Sequence, residues 1–404
     1  MTTSNLLVIG GGLIGLATAY QYLQQYPGQK VTLLEKESDV CKHQSGRNSG
    51  VLHSGIYYVP GSNKAEMSLA GKQMIEEFLE AESIPYEICG KVIVAKNEDE
   101  LPALNKIFEN GQANGVECEM IGVERLKEIE PHVTGVQAIH VPKSGIADYP
   151  AVAQRLADKI VEMGGELFTE TTVTGIDERS SEVVVSTKNG TYTSDRVVAC
   201  AGLHSDRVAK MTAPQKVSAQ IVPFRGEYYQ LKPQATHLCK GLIYPVPDPR
   251  FPFLGVHFTK MIEGGVDCGP NAVLAFSREG YTKTDFNGAD LWEAITYSGF
   301  QKLAFKYWRQ GMEEMWRSFN KAAFVRALQG LIPEITANDL EPHPAGVRAQ
   351  ALTPDGQMVY DFEFVSSERV VHVVNAPSPA ATASLYIGNH IVQKLEKEFG
   401  LSTA

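Results

Sequence analysis

The chain has 404 residues, 43% hydrophobic and 21% charged, enough apolar material for a large core and too much for a disordered or low-complexity protein. A formal net charge of −10 argues against a general nucleic-acid binder, because phosphate backbones are held by dense Lys/Arg patches. Six cysteines without CxxC spacing argue against a zinc knuckle or a disulfide framework, and no run of about 18 apolar residues is present to span a bilayer.

Residues 6–9 form a short apolar run, followed by Gly10-Gly11-Gly12-Leu13-Ile14-Gly15 and then by Leu16, Ala17, Ala19 and Leu23 at helical spacing. Pro27-Gly28 breaks that helix, and residues 31–34 give a second strand closing on Glu35. Strand, glycine turn, helix, strand and acid make a dinucleotide fingerprint. The glycines let a pyrophosphate approach the positive helix end, and the carboxylate accepts hydrogen bonds from ribose hydroxyls. NAD and FAD share this pattern, so the rest of the chain must decide between them.

Residues 45–58 turn to Gly, Ser, Asn and His, which suits a loop packed on a ligand. An amphipathic helix is expected over 64–79, and short strands with a helix led by Val123-Glu124 over 86–95 and 115–131. Asp148 can cap a helix over 151–163. Strand-like runs follow over 166–171, 182–187 and 196–199, the last ending in the small-residue turn Cys200-Ala201-Gly202. Residues 220–271, rich in aromatic and β-branched residues, favour an antiparallel sheet, and 291–327 a helical block. A final strand over 370–374 leads through a small-residue turn to a helix over 380–398. Pro379 would take its first position, aiming the positive helix end at a bound ring.

The fold class is therefore α/β with an α+β insert. A Rossmann-type dinucleotide-binding domain over 1–80, 141–215 and 341–404 interleaves with an antiparallel-sheet substrate domain carrying helices over 81–140 and 216–340.

Five motifs narrow the chemistry. They are the loop from Gln44-Ser45-Gly46-Arg47 to Ile56-Tyr57-Tyr58, Pro223-Phe224-Arg225-Gly226-Glu227-Tyr228-Tyr229, Tyr244-Pro245-Val246-Pro247, Gly255-Val256-His257-Phe258-Thr259 and Gly346-Val347-Arg348-Ala349-Gln350. Together they resemble the L-2-hydroxyglutarate dehydrogenase/oxidase family, whose wider relatives are the D-amino-acid oxidase and glycerol-3-phosphate dehydrogenase flavoproteins. The likeness runs from the first strand to the last helix. It implies FAD as cofactor and oxidation of a small dicarboxylate hydroxy acid, L-2-hydroxyglutarate, to 2-oxoglutarate, with a quinone or oxygen taking the electrons. The competing readings are an amino-acid oxidase, which would use the same carboxylate-binding arginine, and a flavin-binding protein whose helical block serves a partner.

A hydride leaves carbon only as the hydroxyl proton is removed, so a base is needed, and His53 and His257 are the candidates. A dicarboxylate asks for planar donors or fixed cations, and Arg225 and Arg348 are the candidates, with Lys64, Tyr58 and Tyr244 as further substrate contacts. The expected FAD contacts are Gly10, Gly12, Leu13, Ile14, Gly15, Glu35 and Lys36 in the first unit, and His43, Ser45, Arg47, Asn48, Ser49, Gly50 and Val51 around the loop. Val173, Ala201, Gly202, Arg348, Ser378, Pro379, Ala380 and Ala381 complete them. His43 lies near where some relatives attach FAD through a histidine. No metal is expected.

Residues 1–5 carry no charged leader, so a cytoplasmic protein is expected. Over 301–326 a helical wheel gathers Phe305, Trp308, Met312, Met315, Trp316 and Phe319 on one face, and Lys302, Lys306, Arg309 and Arg317 on the other. Such a helix can lie peripherally on the inner face of the cytoplasmic membrane, within reach of a quinone. Alternatively, it packs its aromatic face on the catalytic sheet, the preferred arrangement.

Overall fold

The computed structural model describes residues 2–248 and 254–400. Its first sheet is built on parallel strands. Thr2–Ile9 lies between Val31–Leu34 and Gly190–Ala199, and the far half of Gly190–Ala199 pairs with Val370–Asn375. The near half of Gly190–Ala199 forms an antiparallel hairpin with Val183–Thr187, and Val173–Glu178 adds the next strand outward. Helix Leu13–Gln25 crosses between the first two strands and buries Leu13, Leu16, Ala17 and Leu23 against helices Tyr149–Glu162 and Ser384–Phe399. This right-handed crossover leaves the carboxyl ends of Thr2–Ile9, Gly190–Ala199 and Val370–Asn375 side by side, the crevice where open α/β sheets bind ligands.

The second sheet runs in the order Leu340–Leu352, Gln220–Leu231, Val266–Leu274, His257–Lys260, Leu242–Pro245, Lys91–Ala95, Gln137–Val141, Glu119–Ile121. Its neighbours are antiparallel, as the composition of 220–271 suggests, except that Leu242–Pro245 pairs in parallel with Lys91–Ala95. Leu340–Leu352 belongs here, and the chain returns to the first sheet only at Glu363–Ser366. A small sheet of Val51–Leu52, Gly145–Ala147 and Tyr86–Glu87 ties the two together.

Two helical expectations need correcting. Residues 301–326 are not one helix but parts of Ser298–Lys306, Trp308–Phe319 and Lys321–Gln329, interrupted at Tyr307 and at Asn320, whose side chain caps the third helix through Ala323 N–H at 3.1 Å. The last helix starts at Ser384, not 380, so Pro379 is not at its first position. Ala380 N–H and Ala383 N–H bond to the carbonyls of Pro377 and Pro379, and residues 378–383 wind as turns before the helix begins. No described helix is long and apolar enough to cross a membrane.

Candidate active site

One long cavity of about 740 Å³ runs along the carboxyl ends of the first sheet and ends against the second. At its first end lies the glycine turn. Gly10 has φ +107°, and a Cβ there would stand 2.4 Å from the Cys200 carbonyl oxygen; one on Gly15 would stand 2.0 Å from the Gly10 oxygen. Both must therefore be glycine for the turn to press against the neighbouring strand and helix. Glu35, buried beside them, accepts Gly11 N–H at 2.6 Å and Glu37 N–H at 2.9 Å. Its carboxylate is thus fixed at the cavity wall with lone pairs to spare for ribose hydroxyls. Ser45 reaches back to the same turn, accepting Leu13 N–H at 3.0 Å.

Gly12, Ile14, Lys36, His43, Arg47, Asn48, Ser49, Val51, Val173, Ala201 and Gly202 also line the cavity, as do Ser378, Pro379, Ala380 and Ala381 of the turn before the last helix. Gly50 does not. Its φ of +68° and its N–H bond to Asn48 Oδ1 at 2.9 Å shape the loop from behind. Both ring nitrogens of His43 are engaged, Nδ1 with the Tyr281 hydroxyl at 2.7 Å and Nε2 with Glu37 at 2.9 Å and Lys36 at 2.8 Å. Glu37, His43 and Glu279 are spaced to hold a cation, but the Lys36 ammonium already lies 2.5 Å from each carboxylate. This is an ion-pair cluster at the cavity rim.

The far end is built differently. His53, Lys64, Tyr228, Tyr244, His257 and Arg348 converge there from the loop after Val51–Leu52, from helix Asn63–Ala81 and from four strands of the second sheet. Thr382 accepts His53 N–H at 3.1 Å and donates to the Val51 carbonyl at 3.1 Å, while Tyr149 bonds both, so the histidine loop is fastened to the turn before the last helix. His257 Nδ1 lies 3.0 Å from the Gly255 carbonyl oxygen, which can only accept, so this nitrogen carries the proton and Nε2 is the lone-pair nitrogen of the neutral ring. Burial pushes His257 down to about 3 and His53 well below its usual value; the positive charges of Arg348 and Lys91 add to the effect at His257, and those of Lys91 and Lys64 at His53. Burial likewise pushes Lys64 down to about 8.

Besides Gly50, two sequence candidates fall outside. Arg225 is buried but does not line the cavity: its guanidinium donates to Glu227 Oε1 at 2.9 and 3.2 Å and to the Thr282 carbonyl at 3.1 Å. The register explains why. Phe224 faces Arg348 and Arg225 faces Val347 across the paired strands, so the two arginines point to opposite faces. Tyr58 stands behind Lys64, with the ammonium 5.2 Å from its ring centroid, rather than at the wall. Conversely, sequence reasoning passed over Tyr228, a hydrogen-bond partner of Arg348, although it lies within a quoted motif. It also passed over Thr171, Thr172, His204 and Arg207 along the first end, which carry no local pattern to mark them.

A cradle for a dinucleotide pyrophosphate at one end of a single cavity, with bases and cations at the other, defines a dinucleotide-dependent oxidoreductase. The chain belongs to the FAD-dependent oxidoreductase family, whose model matches residues 5–394, and within it to the L-2-hydroxyglutarate dehydrogenases. It is 48% identical over 395 residues to the L-2-hydroxyglutarate dehydrogenase of Indibacter alkaliphilus, covering 98% of this chain and 99% of that protein. It is 44% identical over 393 residues to the enzyme of that name from Escherichia coli K12, covering 97% and 93%. The fold is also that of the FAD-bound L-α-glycerophosphate oxidase of Mycoplasma pneumoniae, with a TM-score of 0.79, 23% identity and coverage of 98% and 95%. FAD is the cofactor that the family and the cavity share.

Proposed function

We propose that this chain oxidises L-2-hydroxyglutarate to 2-oxoglutarate. The observation that carries the reading is the convergence of two neutral histidines with Arg348 and Lys64 at the end of the cavity remote from the glycine turn. FAD, when bound, supplies the acceptor for the hydride. His257 takes the hydroxyl proton on Nε2, the nitrogen its Gly255 bond leaves free, and the substrate's two carboxylates raise its basicity from the low value that burial sets. His53, within 3.4 Å of Ser378 Oγ, closes the other side. The Arg348 fork holds one carboxylate and the Lys64 ammonium the other, with Tyr228 and Tyr244 as walls that exclude water.

For reoxidation the proposal is a quinone in a membrane. Trp308, Met312, Trp316 and Phe319 recur on one side of helix Trp308–Phe319 and are exposed, Trp308 by 58% and Trp316 by 60%. Phe305, 84% exposed, lies on the preceding helix, where Lys302 and Lys306 are also exposed, and the Arg309 guanidinium stands 5.3 Å from the Trp308 ring centroid.

Anaerobic mixing with substrate tests the activity. L-2-Hydroxyglutarate should bleach the flavin at least about a hundredfold faster than its D enantiomer or any of the common amino acids, as expected of a site that binds both carboxylates and a hydroxyl. Bleaching by an amino acid and not by L-2-hydroxyglutarate overturns the reading.

A further inference from the structure

Lys91 opens strand Lys91–Ala95 and is 2% exposed. An ammonium so far from water costs several kcal/mol unless it is paired. No carboxylate among the described residues stabilises it; the one group that favours its charge is the Cys89 thiol, which burial pushes up to about 11 and so keeps neutral. Its ammonium instead lies over rings, 4.3 Å from the centroid of Tyr244 and 5.6 Å from that of Tyr57. Tyr244 in turn stacks on His257, with centroids 4.1 Å apart and planes at 28°. The parallel register that pairs Lys91 with Leu242 creates this arrangement, because it sets Tyr244, two residues along on the same face, beside the lysine. Tyr244 and His257 line the cavity and Lys91 does not.

We propose that Lys91 is a positioning residue for the oxidation: through Tyr244 it fixes His257, keeps that imidazole neutral and ready to accept a proton, and stands as a countercharge behind the wall for a dianionic substrate. The inference rests on the reading of His257 as the base. The titratable groups facing this stack are His53 and Tyr57 from the histidine loop, Lys64 from its helix, Tyr228 and Arg348 from the second sheet, and Cys89 on the approach to Lys91 itself. None of them is a carboxylate. Burial pushes Lys91 down to about 8, so an incoming dicarboxylate both finds a cation there and favours its protonated form. With substrate absent, the same charge works against protonation of His257 and His53.

The test uses the FAD-loaded protein, with flavin reduction followed across pH and with glutarate, a dicarboxylate lacking the hydroxyl, titrated by its perturbation of the flavin spectrum. Lys91→Met is expected to move the acid limb of the reduction profile about one unit to higher pH, since loss of a nearby positive charge raises the histidine's pKa. It should also weaken glutarate about tenfold at pH 7, the worth of one partly screened charge. Lys91→Arg should restore both, and His257→Asn should erase the limb. Should Lys91→Met fold poorly, Lys91→Gln carries the same comparison. A limb that His257→Asn erases but neither neutral variant moves, or glutarate binding unchanged in them, overturns the role of Lys91 while leaving His257 as base. A limb that persists in His257→Asn overturns the assignment of the base, and the role of Lys91 falls with it.

Discussion

Arg225 and Arg348 occupy paired strands one residue out of step, and that single step separates a structural arginine from one at the cavity wall. In the sequence the two look alike, each in a Gly-containing motif beside a hydrophobic residue, because nothing local encodes which face of a sheet a side chain takes. Their substitutions should therefore part company. Arg348→Lys replaces a fork by a point charge and is expected to raise KM for L-2-hydroxyglutarate by roughly ten- to a hundredfold, with stability nearly unchanged. Arg225→Lys leaves the half-buried Glu227 poorly satisfied, and should lower unfolding free energy by about 1–3 kcal/mol while KM stays within about twofold. Urea midpoints and steady-state kinetics on the same preparations decide it; a KM effect confined to Arg225→Lys would reverse the assignment.

Helix Trp308–Phe319 shows what periodicity can and cannot supply. The spacing of Trp308, Met312, Trp316 and Phe319 identifies one face correctly, but burial normally follows apolarity, so the spacing favours packing that face on the sheet. Instead, the face toward the sheet is polar. Glu314 and Ser318 are buried, the Glu314 carboxylate accepts Ala272 N–H at 2.9 Å, and its carbonyl accepts from Asn271 Nδ2 at 2.9 Å. Glu313 and Glu314 stand side by side in an aromatic stretch, and nothing local shows that the second of them bonds to a strand some forty residues earlier. The first βαβ unit and the Asp148 cap, by contrast, are written in adjacent residues and are legible, whereas the last helix begins four residues later than the sequence suggests because Ala380, Ala381 and Ala383 suit a helix but bond within a turn. Glu314→Ala should leave Ala272 N–H unpaired and release this helix locally, at a cost of about 1–3 kcal/mol. Limited proteolysis should then cut within residues 297–320 faster than in wild type, with the flavin retained; an unchanged pattern counts against Glu314 as the anchor.

For the molecule as a whole, protons and charge set where it is stable and where it can dock. His257 is held at about 3, His372 at about 4 and His53 well below its usual value by burial, while Asp267 raises only His343. Below about pH 6.5 the unfolded chain takes up protons that these buried imidazoles refuse in the native state. Stability should therefore be fully present above that pH and fall as the pH drops toward 4, and a urea midpoint that rises between pH 7 and pH 5 would contradict this balance. At neutral pH the net charge of −10 disfavours contact with an anionic bilayer, and Lys302, Lys306 and Arg309, exposed on the helical segments that carry the aromatic residues, are the cations that offset it there. Each such cation near the headgroups contributes on the order of 1 kcal/mol, and burial of the rings adds to it, so binding should be oriented, salt-sensitive and lost without the tryptophans. Wild type is expected to sediment with anionic liposomes at low salt, and Trp308→Glu/Trp316→Glu to remain in the supernatant while still turning over with a soluble acceptor, since neither side chain reaches the cavity. If wild type and the double variant stay equally in the supernatant, the membrane is not where this protein delivers its electrons.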